Sequence, residues 1–286
     1  MKRTTMIKPL FAFLALALVF LTLPAFAAET MTGAPQPWQI NMQEAGSPSA
    51  EHLHDFHNLL MIIITGITVF VMLLLLYVML RFNKKANPEP KQFSHNVLIE
   101  VIWTVVPVII LIIIAVPSFK LLYFLDRTSE PEMTLKITGY QWYWGYEYPD
   151  NDGINFLSYM IPDDEIDTQA GQKRLLSTDN VVVLPVETDI QLLIGAADVL
   201  HAWAVPALGI KTDAVPGRWN ETWVRINKPG IYYGQCSELC GKDHTYMPVE
   251  IHAVSKEDFQ KWVESAKEEF SATDHFTDRK YAALAQ

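Results

Sequence analysis

The residues best suited to chemistry lie in one short run, GQCSELCGKDHTYM, residues 234–247. It contains the chain's two cysteines, Cys236 and Cys240, with His244 and Met247 just beyond them. A fifth donor, His201, lies upstream in VLHAWAVP. Two thiolates, two imidazoles and a thioether form a soft ligand set suited to copper. A disulfide is a poor alternative. A bridge between residues four apart closes a small ring and removes little chain entropy, and it leaves the histidines and Met247 without a role. A structural zinc site would use Cys and His, but Met is a poor zinc ligand and Cys-x3-Cys is not the usual finger spacing.

A mononuclear blue copper site takes one Cys, two His and a weak Met. This loop offers one thiolate more. Two thiolates on one tight loop can each bridge two ions, with one histidine per metal. Met247 would then be a weak ligand to one copper, and the main-chain carbonyl of Glu238 could fill the matching place on the other. Such a site has no open position for substrate and carries electrons rather than binding a reactant.

Other segments must position these donors. Residues 1–27 read as a secretory signal: Lys2, Arg3 and Lys8 come before an apolar run, and Ala25-Phe26-Ala27 offers a cleavage site. An extracytoplasmic segment, 28–55, follows, with no regular structure predicted over 28–51. Residues 59–80 and 101–119 carry no charge apart from the flanks, and each is long enough to cross a bilayer. They predict a hairpin over 56–125, with helices at about 59–80 and 101–122. The joining loop, 81–100, holds Arg81, Lys84, Lys85 and Lys91, whereas residues 28–58 hold no Lys or Arg. The positive-inside rule makes this loop cytoplasmic and puts the rest of the chain outside.

From residue 130 the pattern becomes short β-forming runs: MTLKITGYQWYWGYEYP, VVVLP, DIQLLIGA, ETWVRI and GIYYGQC. Runs at this spacing predict an all-β sandwich or barrel over 130–254. The segment 255–286 predicts a helix with Phe259, Trp262 and Val263 on one face, then a loosely ordered tail. From residue 126 onward there are 26 acidic and 14 basic side chains. This excess disfavours nucleic acid and suits a basic partner. Glu100, in the first turn of the second membrane helix, reads either as an acid favourable to the helix dipole or as an ionisable group for proton entry.

The words GYQWYWGYEYP, VLHAWAVPALGIKTDAVPGR and GIYYGQCSELCGKDHTYMPV resemble those of subunit II of haem-copper cytochrome c oxidases of the bacterial aa3 type. The resemblance runs from the first membrane helix to about residue 252. It implies a two-helix transmembrane hairpin carrying an all-β cupredoxin-like Greek-key barrel. It also implies a dinuclear copper A centre (two Cu) at His201, Cys236, the Glu238 carbonyl, Cys240, His244 and Met247, with the Glu238 side chain helping to hold Mg or Mn at the boundary with subunit I.

By the same resemblance, Trp142 is the point where an electron enters from cytochrome c, and Glu147, Asp150, Asp164 and Asp198 are acids that dock this donor. Glu100 matches the mouth of a proton channel in subunit I. The implied partners are subunit I, with haem a and the oxygen site, and subunit III. The implied location is the bacterial inner membrane, with the β-domain on the periplasmic side. There is no Cys-x-x-Cys-His, so no c-type haem is fused to the chain, and the donor must be a separate cytochrome. Two rival readings are a copper-free quinol-oxidase relative, which lacks the ligand set, and a membrane-bound copper chaperone, which needs no aromatic entry strip.

Overall fold

The computed structural model describes residues 33–89, 91–126 and 130–270. The expected signal sequence and tail lie outside these residues.

Two long helices, α1 (Pro48–Arg81) and α2 (Val97–Leu125), form the hairpin. Nothing else in the described residues covers their apolar windows, as expected for segments solvated by lipid or by another subunit. Helix α1 starts eleven residues before the predicted boundary. Ser47 caps it, accepting from the Ala50 N–H at 3.1 Å, and Pro48 stands at the first helical position, where a missing N–H costs nothing. The extra turns are polar, so hydropathy alone marked only the part inside the membrane. Ser47 also donates to the Leu208 carbonyl at 2.7 Å, and Ala50 packs so tightly on Gly209 that a side chain there would meet its backbone nitrogen at 2.8 Å. A second tie comes from Trp223, whose indole N–H donates to the Phe124 carbonyl at 3.3 Å.

The soluble part is a cupredoxin-like all-β domain of two five-stranded sheets. One sheet has the order β3-β2-β1-β5-β8, from β1 (Met133–Tyr140), β2 (Tyr143–Tyr148), β3 (Ile154–Ser158), β5 (Ile190–Ala196) and β8 (Asn220–Val224). The other has the order β4-β10-β9-β6-β7, from β4 (Val182–Pro185), β6 (His201–Val205), β7 (Ile210–Ala214), β9 (Gly230–Cys236) and β10 (Pro248–Val254). Met133, Leu135 and Ile137 of β1 point into the core while Thr134, Lys136 and Thr138 alternate outward, the period-two pattern of a half-covered sheet. Strands β4 and β6 are buried at every position, so they show no alternation and β6 was not predicted. The buried Tyr146 and Tyr148 hydroxyls find partners at the Trp203 indole (3.2 Å) and the Val183 backbone (3.1 Å).

Helix α3 (Lys256–Phe270) follows β10. Ser255 accepts from the Asp258 N–H at 3.1 Å and donates to its carboxylate at 2.8 Å. Phe259, Val263 and Ala266 are buried, the two larger contributing roughly 2 kcal/mol each.

Candidate metal centre

The donors meet where several strand ends converge. The β1–β2 register pairs Tyr140 with Tyr143, which leaves Gln141 and Trp142 as a two-residue turn. Parallel pairing of β1 with β5 brings the end of β5, and Asp198 after it, to this same edge. His201 opens β6, Cys236 closes β9 and Met247 precedes β10. Trp142 is therefore a turn residue and not part of a continuous strand, as the aromatic run had suggested.

His201, Cys236 and Cys240 are buried, with their ligand atoms all within 4.8 Å of one another. The two sulfurs are 3.9 Å apart, and both cysteines are free. Each sulfur has its own imidazole: His201 Nδ1 is 3.9 Å from Cys236 Sγ, and His244 Nδ1 is 3.6 Å from Cys240 Sγ. Each also has a weak donor. The Glu238 carbonyl lies 3.3 Å from Cys236 Sγ, and Met247 Sδ lies 3.6 Å from Cys240 Sγ. The set is thus two thiols, each flanked by one nitrogen and one weak ligand, which fits a pair of soft metal ions.

The surroundings hold this set in place. His201 Nε2 faces Asp198 Oδ1 at 2.9 Å, so Nδ1 is the nitrogen turned to the sulfurs. Asp198 itself accepts from the backbone N–H groups of Gln141 (2.7 Å) and Val199 (2.6 Å). Gly139 lies under the imidazole, where a Cβ would come within 2.9 Å of the ring. The Cys240 carbonyl accepts from Gln141 Nε2 at 2.8 Å and from the Trp142 indole N–H at 3.3 Å. Trp142 also covers Gly241, where a Cβ would stand 2.8 Å from the indole, and Lys242 lies over its ring at 5.4 Å. Residues such as Gly139 and Gln141 carry no metal-ligand signature, and only the fold reveals their roles.

The two thiols differ electrostatically. Burial pushes Cys236 up, but hydrogen bonds from His201 and from backbone groups outweigh it and bring the thiol down to about 6. Burial and the neighbouring Cys236 thiolate push Cys240 up to about 12. Burial favours a neutral His201, yet Asp198 and Cys236 hold its pKa up to about 9. The pull of His201 on Cys236 and of Asp198 on His201 favours charge on this pair, while the neighbouring thiolate keeps Cys240 protonated more strongly, and metal binding must displace the protons that remain.

The proposed docking acids separate. Glu147 pairs with Lys136 at 2.8 Å part-way down β2, and Asp150 accepts from the Thr134 N–H at 2.7 Å at the opposite end of the hairpin from Trp142. The structure does not bring either acid to the metal edge. Asp164 follows β3, whose Ser158 end pairs with Trp144, so its loop leaves the sheet on the Trp142 side. Asp198 lies at the edge itself but is engaged with His201. Far away, Glu100 closes a cap at the start of α2: its carboxylate accepts from the Asn96 N–H at 3.2 Å, while Asn96 accepts from the Ile99 N–H at 3.2 Å.

Comparison with known proteins matches residues 133–254 to the periplasmic domain of cytochrome c oxidase subunit II and residues 35–121 to its transmembrane domain. The chain belongs to the cytochrome c oxidase subunit II family. A probable cytochrome c oxidase subunit 2 from Rickettsia bellii (strain RML369-C) is 51% identical, with 88% of this chain and 93% of the relative covered. One from Rickettsia felis (strain ATCC VR-1525 / URRWXCal2) is 55% identical over 81% of this chain and 73% of the relative. The cytochrome c oxidase subunit 2 of Oenothera berteroana is 46% identical over 83% and 94%. As a family member the chain is an electron-transfer subunit of an aerobic haem-copper terminal oxidase. It associates with subunit I and is held in a membrane by its hairpin, with the β-domain on the periplasmic side.

Proposed function

We propose that His201, Cys236, Cys240, His244, Met247 and the Glu238 carbonyl hold a dinuclear copper A centre. The observation carrying this is the pair of buried, unbridged sulfurs 3.9 Å apart, each with its own imidazole. When bound, the copper pair supplies one-electron redox chemistry shared over two metals. The chain's own residues do the rest. Asp198 fixes the face that His201 presents, burial of both cysteines excludes water, and Met247 and the Glu238 carbonyl close the remaining directions.

Trp142 is the proposed edge at which cytochrome c delivers an electron, since its indole is hydrogen-bonded to the carbonyl of a ligand residue. His244, on the other sulfur, is the proposed exit towards haem a of subunit I. Asp164 and Asp198 are the acids best placed to attract a basic donor, an effect that raises association rate and weakens with salt. The reading extends to Mg or Mn held by the Glu238 side chain at the subunit I boundary, proton entry at Glu100, association with subunit III and residence in a bacterial inner membrane. The test is copper loading of the full chain in detergent, followed by metal counting. Two coppers per chain are expected; one or none contradicts the reading.

A further inference from the structure

The loop of residues 33–46, just ahead of α1, plays no part in the copper site, yet it is a built structure. Both ends are pinned on one side chain: a Cβ at Gly33 would come within 2.5 Å of the Tyr232 ring, and one at Gly46 would collide with the same ring. The neck is closed by backbone hydrogen bonds, Tyr233 N–H to the Gly33 carbonyl (3.1 Å), Asn227 N–H to the Gly46 carbonyl (2.9 Å) and Gly46 N–H to the Ala207 carbonyl (2.8 Å). Its tip is a turn over Gln36-Pro37-Trp38-Gln39, closed by a 3.2 Å bond from Gln39 N–H to the Gln36 carbonyl. Trp38 has φ +61°, in the position of such a turn where glycine is the favoured residue. A bulky residue is thus kept in a conformation that disfavours it, and Trp38 is 98% exposed, with Ile40 nearby fully exposed. Exposed apolar side chains on a strained, well-tied loop signal an absent partner.

Three observations select that partner. Residues 34–43 carry no charge, and Glu44 is already paired with Lys228, so the tip suits neither a basic cytochrome nor anionic lipid. The polar start of α1, residues 48–58, puts about 16 Å of helix between the loop's neck and the first apolar residue, longer than the roughly 5–8 Å of a headgroup layer. Finally, the loop borders an apolar groove of about 540 Å³ that runs from Leu53 on α1 past Pro206 and Ile210 to Ser237 in the metal loop. The groove joins the membrane hairpin to the ligand loop, the two parts of the chain that must face the haem-bearing subunit.

We propose that loop 33–46 is a docking arm that seats Trp38 and Ile40 in an apolar site on the periplasmic surface of subunit I. This rests on family membership but not on the dinuclear copper reading. The test is Trp38→Gly together with Ile40→Ser in the complete oxidase, purified through a tag on this chain. Haem and subunit I recovered per tagged chain should fall at least fivefold, and the only copper lost should be that carried by subunit I, with the spectrum of the copper bound by this chain unchanged. Trp38→Gly alone separates docking from folding, because glycine suits the turn. Its melting temperature as a free chain should hold or rise while subunit I recovery falls. Unchanged recovery of subunit I overturns the proposal, as does a lower melting temperature of Trp38→Gly, which would make Trp38 a folding residue.

Discussion

The two ends of the β-domain are built from the same strands but by opposite rules. At the end carrying His201, the reactive atoms are buried and left available, and neighbouring groups are spent on orienting them: Asp198 on His201, Gly139 beneath it, Gln141 and Trp142 on the Cys240 carbonyl. At the opposite end, charges are exposed and satisfied. Arg225 reaches Glu187 at 2.9 Å and Asp189 at 3.3 Å, Lys256 reaches Glu132 at 3.4 Å, and Asp150 caps the β1–β2 hairpin. One end stores chemistry in fixed positions; the other closes the fold with interactions that are each weak in water.

This contrast can be broken or sharpened by measurement. The largest effect is expected in the copper-free chain, followed by thiolate absorbance. The pair should ionise in two separated steps, the first below the ordinary thiol range of about 9 and the second above it. Because the folded pKa of Cys236 is depressed, its ionised form favours the fold above pH 9, and that contribution is lost as pH falls through about 6. His201 is raised, so its contribution is complete below 6.5 and is lost as pH rises through about 9. Two thiols titrating together near 9 would contradict the asymmetry.

Next comes Asp198→Asn. Loss of the carboxylate behind the imidazole should weaken copper binding about 10- to 100-fold, measured by competition with a chelator, with the fold intact by circular dichroism. Trp142→Phe removes the indole N–H from the Cys240 carbonyl. It should slow reduction by cytochrome c on the order of tenfold at low salt, with an unaltered copper spectrum. An unchanged rate would remove Trp142 from its proposed role. Gly139→Ala forces a methyl against His201 and should cost about 1–3 kcal/mol in denaturant unfolding, with copper retention falling in parallel. At the opposite end, Arg225→Gln should move the melting temperature by no more than about 2 °C and leave copper content alone. A large loss there would show that the two ends are not built so differently.

Much of the metal end was legible in sequence because its ligands are chemically distinctive and four of the five side chains share one loop. The fifth, His201, stood in a recognisable word. The positioning residues were not legible. Gly139 matters only because β1 passes beneath the imidazole, and the sequence offered Asp198 as a docking acid without showing that it also orients His201 through hydrogen bonds to the ring and to two backbone groups. Glu147 and Asp150 were legible as acids, but their places in the fold, part-way along β2 and at the far end of the hairpin, were not. With Trp142 taken as part of a strand, nothing showed that the hairpin carries these acids away from it. The hairpin's apolar cores were plain from hydropathy, while the polar first turns of α1 were hidden, since helix outside a membrane leaves no hydropathy signal. Its cap, Ser47-Pro48, was the available cue.

The central claim is that the loop and His201 hold two coppers acting as one redox unit. Its most direct test is electron paramagnetic resonance on the copper-loaded full chain, with the metal counted in the same sample. The account predicts a hyperfine pattern from one unpaired electron shared equally by two copper nuclei, at two coppers per chain. A pattern from a single copper nucleus, or one copper per chain, would contradict it.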